Sequence, residues 1–402
     1  MATTGRLGHA RADIFMSRSA FAAALSEHPL ATQATGEVLG AVIEEVGLMP
    51  DLAMVFVTKP HAGALEDIVS AIDDLLHPLV LLGCASGSVL GGEHEVEDSA
   101  AISLWAGRTG PVLPVRIEMA RESPLGPLLA HGWPDRIAFE PSALVLMADP
   151  FSFDVEAFLS WLATHHPGLP VVGGMASGGT GPGGTRISSG RSISSSGAVG
   201  AILGPGVEVA TVVSQGSRPF GHPLVVTRAE RNVIYELAGR PAIERIVTQA
   251  HETLSPAELT LLEHGGLNLG RVIDEHAESF GRGDFLVRGL LASDRRTGSI
   301  TVTEAVPVGT TVQLHLRDAA AAHEDLDAML RGHHAAAAIV FTCNGRGTRM
   351  FDMPDHDIAS IRRHLGPAAV AGCFAAGELG PVGGRNFLHS LTASMLLLDT
   401  RA

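Results

Sequence analysis

Three stretches of this chain repeat one order of elements, and that recurrence limits the fold more than any other feature. Leu52–Thr58 (LAMVFVT), Ala143–Ala148 (ALVLMA) and Ala337–Thr342 (AAIVFT) are short apolar runs of buried-strand length. Apolar residues at helical spacing follow each run. They are Leu65, Ile68, Val69, Ile72, Leu75 and Leu76 in the first unit, Val155, Phe158, Leu159 and Leu162 in the second, and Ile358, Ile361 and Leu365 in the third. A second apolar run then enters a glycine-rich stretch: Gly83-Cys84-Ala85-Ser86-Gly87, Gly173-Gly174-Met175-Ala176-Ser177-Gly178, and Gly372-Cys373-Phe374-Ala375-Ala376-Gly377. Met54 to Gly83 and Leu144 to Gly173 are both 29 positions, and the third copy is slightly longer. Duplication of a strand–helix–strand–Gly-turn–strand unit is the preferred account.

Around the units lie further strand signals at Ser99–Trp105, Val112–Ile117, Gly197–Leu203 and Val207–Val213. Leu391–Leu398 reads as a closing strand or helix. The region between the second and third units differs, with helical spacing in Ala242–Gln249 and Pro256–His264 and strand signals in Phe285–Ala292, Ser299–Glu304 and Thr311–Leu316. The composition shift at Gln215-Gly216-Ser217-Arg218-Pro219 marks the main boundary. The expected organisation is a flexible arm over 1–30, two repeat units over 31–216, and a second domain over 217–402. That second domain combines an inserted region, 217–335, with the third unit. The fold class is α/β: mixed β-sheets flanked by helices, in a layered αββα arrangement.

Bulk properties narrow the function. The chain has 402 residues with 46% apolar content, enough for a substantial core. A formal charge of −15 and no Lys/Arg cluster argue against a nucleic-acid backbone or an anionic membrane as partner. The cysteines are Cys84, Cys343 and Cys373, too few for a disulfide scaffold. No stretch has the length of a membrane span and no leader pattern is legible, so the expected location is cytoplasmic.

The third unit carries the most polar cargo. Cys343-Asn344-Gly345-Arg346-Gly347 follows its first strand, and Gly377-Glu378 follows its second. Ligands bind at such strand ends in open α/β sheets. An Arg346 fork suits a carboxylate and Glu378 an amine, so the two facing one another across a cleft would read a zwitterion such as an amino acid. The competing reading is a structural Arg–Glu ion pair. Cys373, followed by His389 16 positions on, has the look of a nucleophile; the competing reading is a packed, inert thiol, since the second unit has Gly174 there. No nucleotide-binding glycine motif is in place. The 19 histidines show no metal-ligand spacing, and they leave a haem ligand open without identifying one.

These residues resemble the FIST family, an N-terminal FIST domain followed by FIST-C. The likeness rests on Leu82–Gly87 with Gly91-Gly92 and Glu95, and on Val172–Gly178. In the C-terminal half it rests on Asn232–Ala242 (NVIYELAGRPA), Phe341–Gly347 (FTCNGRG), Gly377–Pro381 (GELGP), His389 and Thr392. The resemblance implies a non-enzymatic sensory domain for a small ligand, an amino acid or similar polar metabolite. Its partner would be a separate signalling protein such as a kinase or a cyclic-di-nucleotide enzyme. Some resembling proteins bind haem and sense nitric oxide, so haem is an open alternative cofactor; a Cys-dependent hydrolase or transferase is a further alternative. Carried over by position, the ligand-binding residues are Cys343, Asn344, Arg346, Gly377, Glu378, Asn386 and His389.

Overall fold

The computed structural model describes residues 20–401, apart from 122–125, 127 and 278. The first nineteen residues of the expected arm therefore lie outside the described residues. In chain order the first unit comprises β1 (Phe21–Ser26), α1 (Ala31–Val46), β2 (Leu52–Thr58), α2 (Leu65–Leu76), β3 (Val80–Ser86), the hairpin β4 (Val89–Gly91) and β5 (His94–Val96), and β6 (Ile102–Gly107). The second comprises β7 (Val112–Arg121), β8 (Leu128–His131), β9 (Ala143–Ala148), α3 (Val155–His165), β10 (Val171–Met175), the hairpin β11 (Ile187–Ser189) and β12 (Ser192–Ser194), and β13 (Ala198–Leu203). After β14 (Val207–Gln215) the chain enters the insert: β15 (Ser217–Glu230), β16 (Val233–Leu237), β17 (Arg240–Pro241), α4 (Ala242–Thr253), α5 (Pro256–Leu261), β18 (Leu267–Val272), β19 (Phe285–Asp294), β20 (Ser299–Val302) and β21 (Thr311–Arg317). The third unit resumes with α6 (Ala319–Leu330), β22 (Ala337–Cys343), α7 (His356–Leu365), β23 (Ala369–Ala375), the hairpin β24 (Glu378–Val382) and β25 (Arg385–His389), and β26 (Thr392–Thr400).

Each unit builds one sheet around a parallel pair: β2–β3, β9–β10 and β22–β23. The parallel pairing follows from the crossover helix, which must return the chain to the same end of the sheet. The full orders are β1-β6-β2-β3-β11-β12, β8-β7-β13-β9-β10-β24-β25 and β14-β26-β22-β23-β4-β5. No unit keeps its own hairpin. The second unit's β11–β12 extends the first sheet, the third unit's β24–β25 extends the second, and the first unit's β4–β5 extends the third. The exchange is cyclic. It also moves β14, which pairs along nine residues with β26, into the third sheet. The third unit therefore begins at Val207, before the insert, while the composition shift at 215–219 marks where the chain leaves that sheet. Phe21–Ser26, within the expected arm, is an ordered strand that pairs with β6 from Phe21↔Gly107 to Ser26↔Ile102.

Helices cover the outer faces and the inner faces converge. α1 and α2 pack on the first sheet, α3 on the second, and α6 and α7 on the third. One shared core gathers Met54, Phe56, Cys84, Val145, Met147, Ile339, Phe341, Cys373 and Leu396 from all three sheets. Phe56 and Phe341 meet edge-to-face at 6.0 Å across it. Each such side chain contributes about 1.5–3 kcal/mol on burial. The layering of sheets under helices expected from the sequence thus recurs three times about one centre.

The first glycine of each repeated stretch lies inside a strand, and the bend comes at its closing glycine, Gly87, Gly178 or Gly377. Gly83, Gly173 and Gly372 sit inside the second parallel strand of their units. A Cβ at Gly173 would stand 1.9 Å from Leu146 O, and at Gly372 1.9 Å from Val340 O. Their purpose is close approach between paired strands, and their N–H groups belong to the sheet, not to an anion site. In the insert, β15 pairs with both β21 and β16, which closes the antiparallel sheet on itself as a barrel around Phe220, Val226, Leu269 and Leu314.

Candidate functional site

At the C-terminal end of β22 the exchange of hairpins creates a buried polar cluster. Thr342 and Cys343 end the strand, and the turn through Asn344 and Gly345 brings Arg346 back beneath it. Arg346 does not face Glu378 across an open cleft. Its Nε donates to Asp357 Oδ2 at 2.8 Å and its Nη2 to Asp357 Oδ1 at 2.7 Å, with both side chains wholly buried. Asp357 lies in the first turn of α7, where the helix dipole favours negative charge. It also accepts from Thr342 Oγ1 at 2.6 Å and His356 Nδ1 at 2.9 Å. Burial alone would raise the Asp357 pKa. Arg346 and these hydrogen bonds outweigh it and hold the carboxyl well below the usual range.

The exchanged hairpin β4–β5 supplies the next layer. Glu95 Oε1 accepts from Ile358 N at 2.8 Å, and Asp355 Oδ1 accepts from Glu95 N at 2.6 Å. Burial, then the neighbouring Asp357, pushes Glu95 up to about 8. Its N-terminal neighbours gave no hint of this role, since Glu95 is remote in sequence from everything it touches here.

Glu378 opens β24. Its Oε2 accepts from Thr392 N at 3.1 Å and Thr392 Oγ1 at 2.8 Å, and the Cys343 thiol lies beside it. Burial pushes this carboxyl up to about 8, so it is mostly protonated at neutral pH. Burial, then Glu378, raises the Cys343 thiol, and burial also raises Cys373, which neighbours Cys84 in the shared core. Both thiols are buried, and burial favours the protonated form over the nucleophilic thiolate.

Three polar atoms of this cluster are buried without a hydrogen-bond partner in the protein: Arg346 Nη1, Glu378 Oε1 and Glu95 Oε2. Gly216 borders the first, with Met350 and Leu391 beside it, and Gly345 packs on Leu391. A Cβ on Gly216 would meet Met350 Cε at 3.0 Å and Arg346 Nη1 at 3.3 Å, and one on Gly345 would meet Leu391 Cδ2 at 2.8 Å. Asn344 stands exposed at the outer edge, with its backbone N–H on Ala375 O at 2.9 Å.

The remaining expected residues serve the β24–β25 hairpin. Gly377 (φ +151°) starts it and its carbonyl accepts from Met175 N. Asn386 clamps it to the second unit, accepting from Val171 N and donating to Leu169 O, both at 2.8 Å. His389 pairs opposite Glu378 and its Nε2–H donates to Gly380 O at 2.9 Å. Burial lowers its pKa to about 4, so the ring is neutral. The structure thus brings Cys343, Arg346 and Glu378 into one cluster. It places Asn386 at the hairpin's attachment and His389 under the sheet, and it adds Asp357, Glu95 and Thr392, which residue type and spacing did not single out as ligand-binding.

Among the described residues no group of three or more His, Cys, Asp or Glu is placed to hold a metal ion. A cavity of about 750 Å³ gathers His131, His165 and His166 with Trp133 and Trp161, but its charged residues are Asp135 and Glu140. Haem propionates would meet charge of their own sign there, so that cavity does not fit haem. No helix among the described residues is long and apolar enough to cross a membrane.

Sheets exchanging hairpins around a buried ionic cluster, with an inserted barrel, define a duplicated α/β domain joined to a second domain that completes it. The FIST N domain family matches residues 51–240 and the FIST C domain family residues 244–381, and the chain belongs to the FIST family. FIST domains are associated with signal-transduction sensing. An uncharacterised protein of Mycobacterium tuberculosis is 41% identical over 377 residues, covering 92% of this chain and 96% of that protein. A counterpart from Mycobacterium bovis matches equally, and a further M. tuberculosis protein, also uncharacterised, is 40% identical over 382 residues.

Proposed function

We propose that this protein is a non-enzymatic sensor that binds a small polar ligand at the Cys343–Arg346–Glu378 cluster. One observation carries the reading: Arg346 Nη1 and Glu378 Oε1, both wholly buried, keep hydrogen-bonding capacity that no protein group uses. Unmet buried polar groups are costly and call for a partner. Arg346 Nη1 offers a donor, and the largely neutral Glu378 carboxyl can give or accept a hydrogen bond. A small molecule with an acceptor at one end and a polar hydrogen at the other satisfies both, and an amino acid has this form. The ligand would enter beside Asn344, which is exposed, where Gly345 and Met350 are half-buried. The signal leaves through the β24–β25 hairpin, which starts at Glu378, to a separate partner such as a kinase or cyclic-di-nucleotide enzyme.

The test is thermal unfolding of the full chain with each standard L-amino acid and with its amide or deaminated analogue. A stabilising compound whose effect disappears in Glu378→Gln supports the reading. An absence of stabilisation across the set, or equal stabilisation of wild type and Glu378→Gln, overturns it.

A further inference from the structure

A separate open feature lies where one side of α3, the β24–β25 hairpin and the β18–β19 side of the barrel converge. These elements enclose a cleft of about 470 Å³. Arg271, Arg288 and Arg385 line it together with Glu156 and Glu304. The two carboxylates do not neutralise the three arginines evenly. Glu304 is shared, bonding Arg288 Nε and lying 3.3 Å from Arg271 Nη1. Arg288 is buried and fully committed: its Nη1 donates to Leu388 O at 2.9 Å and its Nη2 stands 3.5 Å from Glu156. Arg385 is exposed, has no carboxylate partner among the described residues, and lies over the Phe387 ring at 5.4 Å. Glu156 is half exposed, and burial followed by repulsion from Glu304 raises its pKa, which makes it the weaker counter-ion.

The local backbone fixes Arg385 in this position. Gly383 and Gly384, with φ of +57° and +76°, form the two-residue turn that sets Arg385 opposite Val382. Positive φ at both central positions is the requirement of the tight hairpin turn, which glycine meets at least cost. The rest of the lining is largely apolar, with Leu159, Leu286, Phe387 and Leu388, beside Ser160, His166 and Asn386.

We propose that this cleft binds a small dicarboxylate, one carboxylate on Arg271 and the other on Arg385, with Arg288 holding Glu304 in the floor. A guanidinium fork gives a carboxylate two parallel hydrogen bonds. Two forks separated by apolar wall match two carboxylates joined by a short hydrocarbon spacer. A chain of charge −15 repels anions in general, so an arginine excess turned into one cleft is a local exception that selects for them. This site is distinct from the buried cluster and does not depend on it.

Isothermal titration of the full chain with succinate, succinamide and inorganic phosphate tests the proposal. Succinate should bind saturably, more weakly as salt rises, while succinamide should not bind and phosphate should bind more weakly. Arg271→Gln and Arg385→Gln should each weaken succinate by about tenfold or more, where tenfold equals ~1.4 kcal/mol. Glu156→Gln, which removes a competing carboxylate, should tighten it. Arg385 is exposed at a hairpin tip, so its variant folds and the comparison is secure. No succinate binding, succinamide or phosphate binding as tightly, or unchanged affinity in Arg385→Gln overturns the proposal. Arg385 lies outside the buried cluster, so this result and the amino-acid screen stand or fall separately.

Discussion

Arg346 and Asp357 form a two-pronged ion pair with neither side chain exposed to solvent, and they come from the two ends of the loop that joins β22 to α7. The pair closes that loop as a rigid bracket. Removing one partner leaves the other charged and desolvated, which typically costs about 3–5 kcal/mol. Asp357→Ala should therefore lower the urea unfolding free energy by about that amount. Arg346→Met combined with Asp357→Leu should lose less than the two single changes summed. Strict additivity would show that the pair is not coupled.

Stability should decline between about pH 6.5 and 8. Glu95 and Glu378 have folded pKa values near 8 against 4.5 as the ordinary value. The folded state holds these protons more tightly, so stability falls as pH rises through that interval, by up to ~1.4 kcal/mol per pH unit per carboxyl. His389 and His315, lowered to about 4 and about 3, act oppositely. The unfolded state binds protons below 6.5 that the folded state refuses, so those rings add stability as pH rises to 6.5. The two effects oppose each other from 4.5 to 6.5, and above 6.5 only the carboxyls remain. Urea midpoints measured from pH 5 to 8.5 should show a plateau and then a fall, and Glu378→Gln should make the fall shallower. An unchanged slope in that variant would contradict the assignment.

All three cysteines are buried and free. Native protein should react with a thiol reagent far more slowly than unfolded protein, which should yield all three thiols. Rapid labelling of Cys343 in the native state would reopen a nucleophilic role for it.

The hairpin exchange makes a rescue prediction. A Cβ on Gly83 would lie 2.3 Å from Ser188 Oγ, and Ser188 belongs to the hairpin that the second unit lends to the first sheet. Gly83→Ala should cost about 1–3 kcal/mol through overpacking. Adding Ser188→Ala should restore most of it, because the blocking atom is a side-chain oxygen. Failure to restore would argue against the β3–β11 pairing.

The parallel pairs and their helices were legible because strand and helix periods differ and the units repeat. The exchanged hairpins were not. β4, β5, β11 and β12 are three residues each, too short for a period to register, and their partners lie in other units. The same blind spot explains the site. Arg346 and Glu378 were found from their positions at strand ends. Asp357 carries no signal because it is an ordinary acidic residue in an amphipathic helix, and Glu95, part of the family likeness, gives no sign of its place here because only the fold carries it to α7. The first glycine of each stretch, Gly83, Gly173 or Gly372, looks like part of a turn in sequence because close strand approach and tight turns select the same residue.

The interlocking also bears on how the chain is made. The third sheet needs β4 and β5 from the beginning, β14 from the middle and β26 from the last residues. Until the ribosome has released residue 400, β14 and β22 lack the strand that lies between them, and the first unit's hairpin waits on a sheet not yet assembled. Such long-range pairing slows folding and leaves strand edges bare in the meantime. Closure of the third sheet must therefore wait for residue 400 to emerge, and a chain clipped before β26 should be a target for chaperones and proteases, not a smaller working protein.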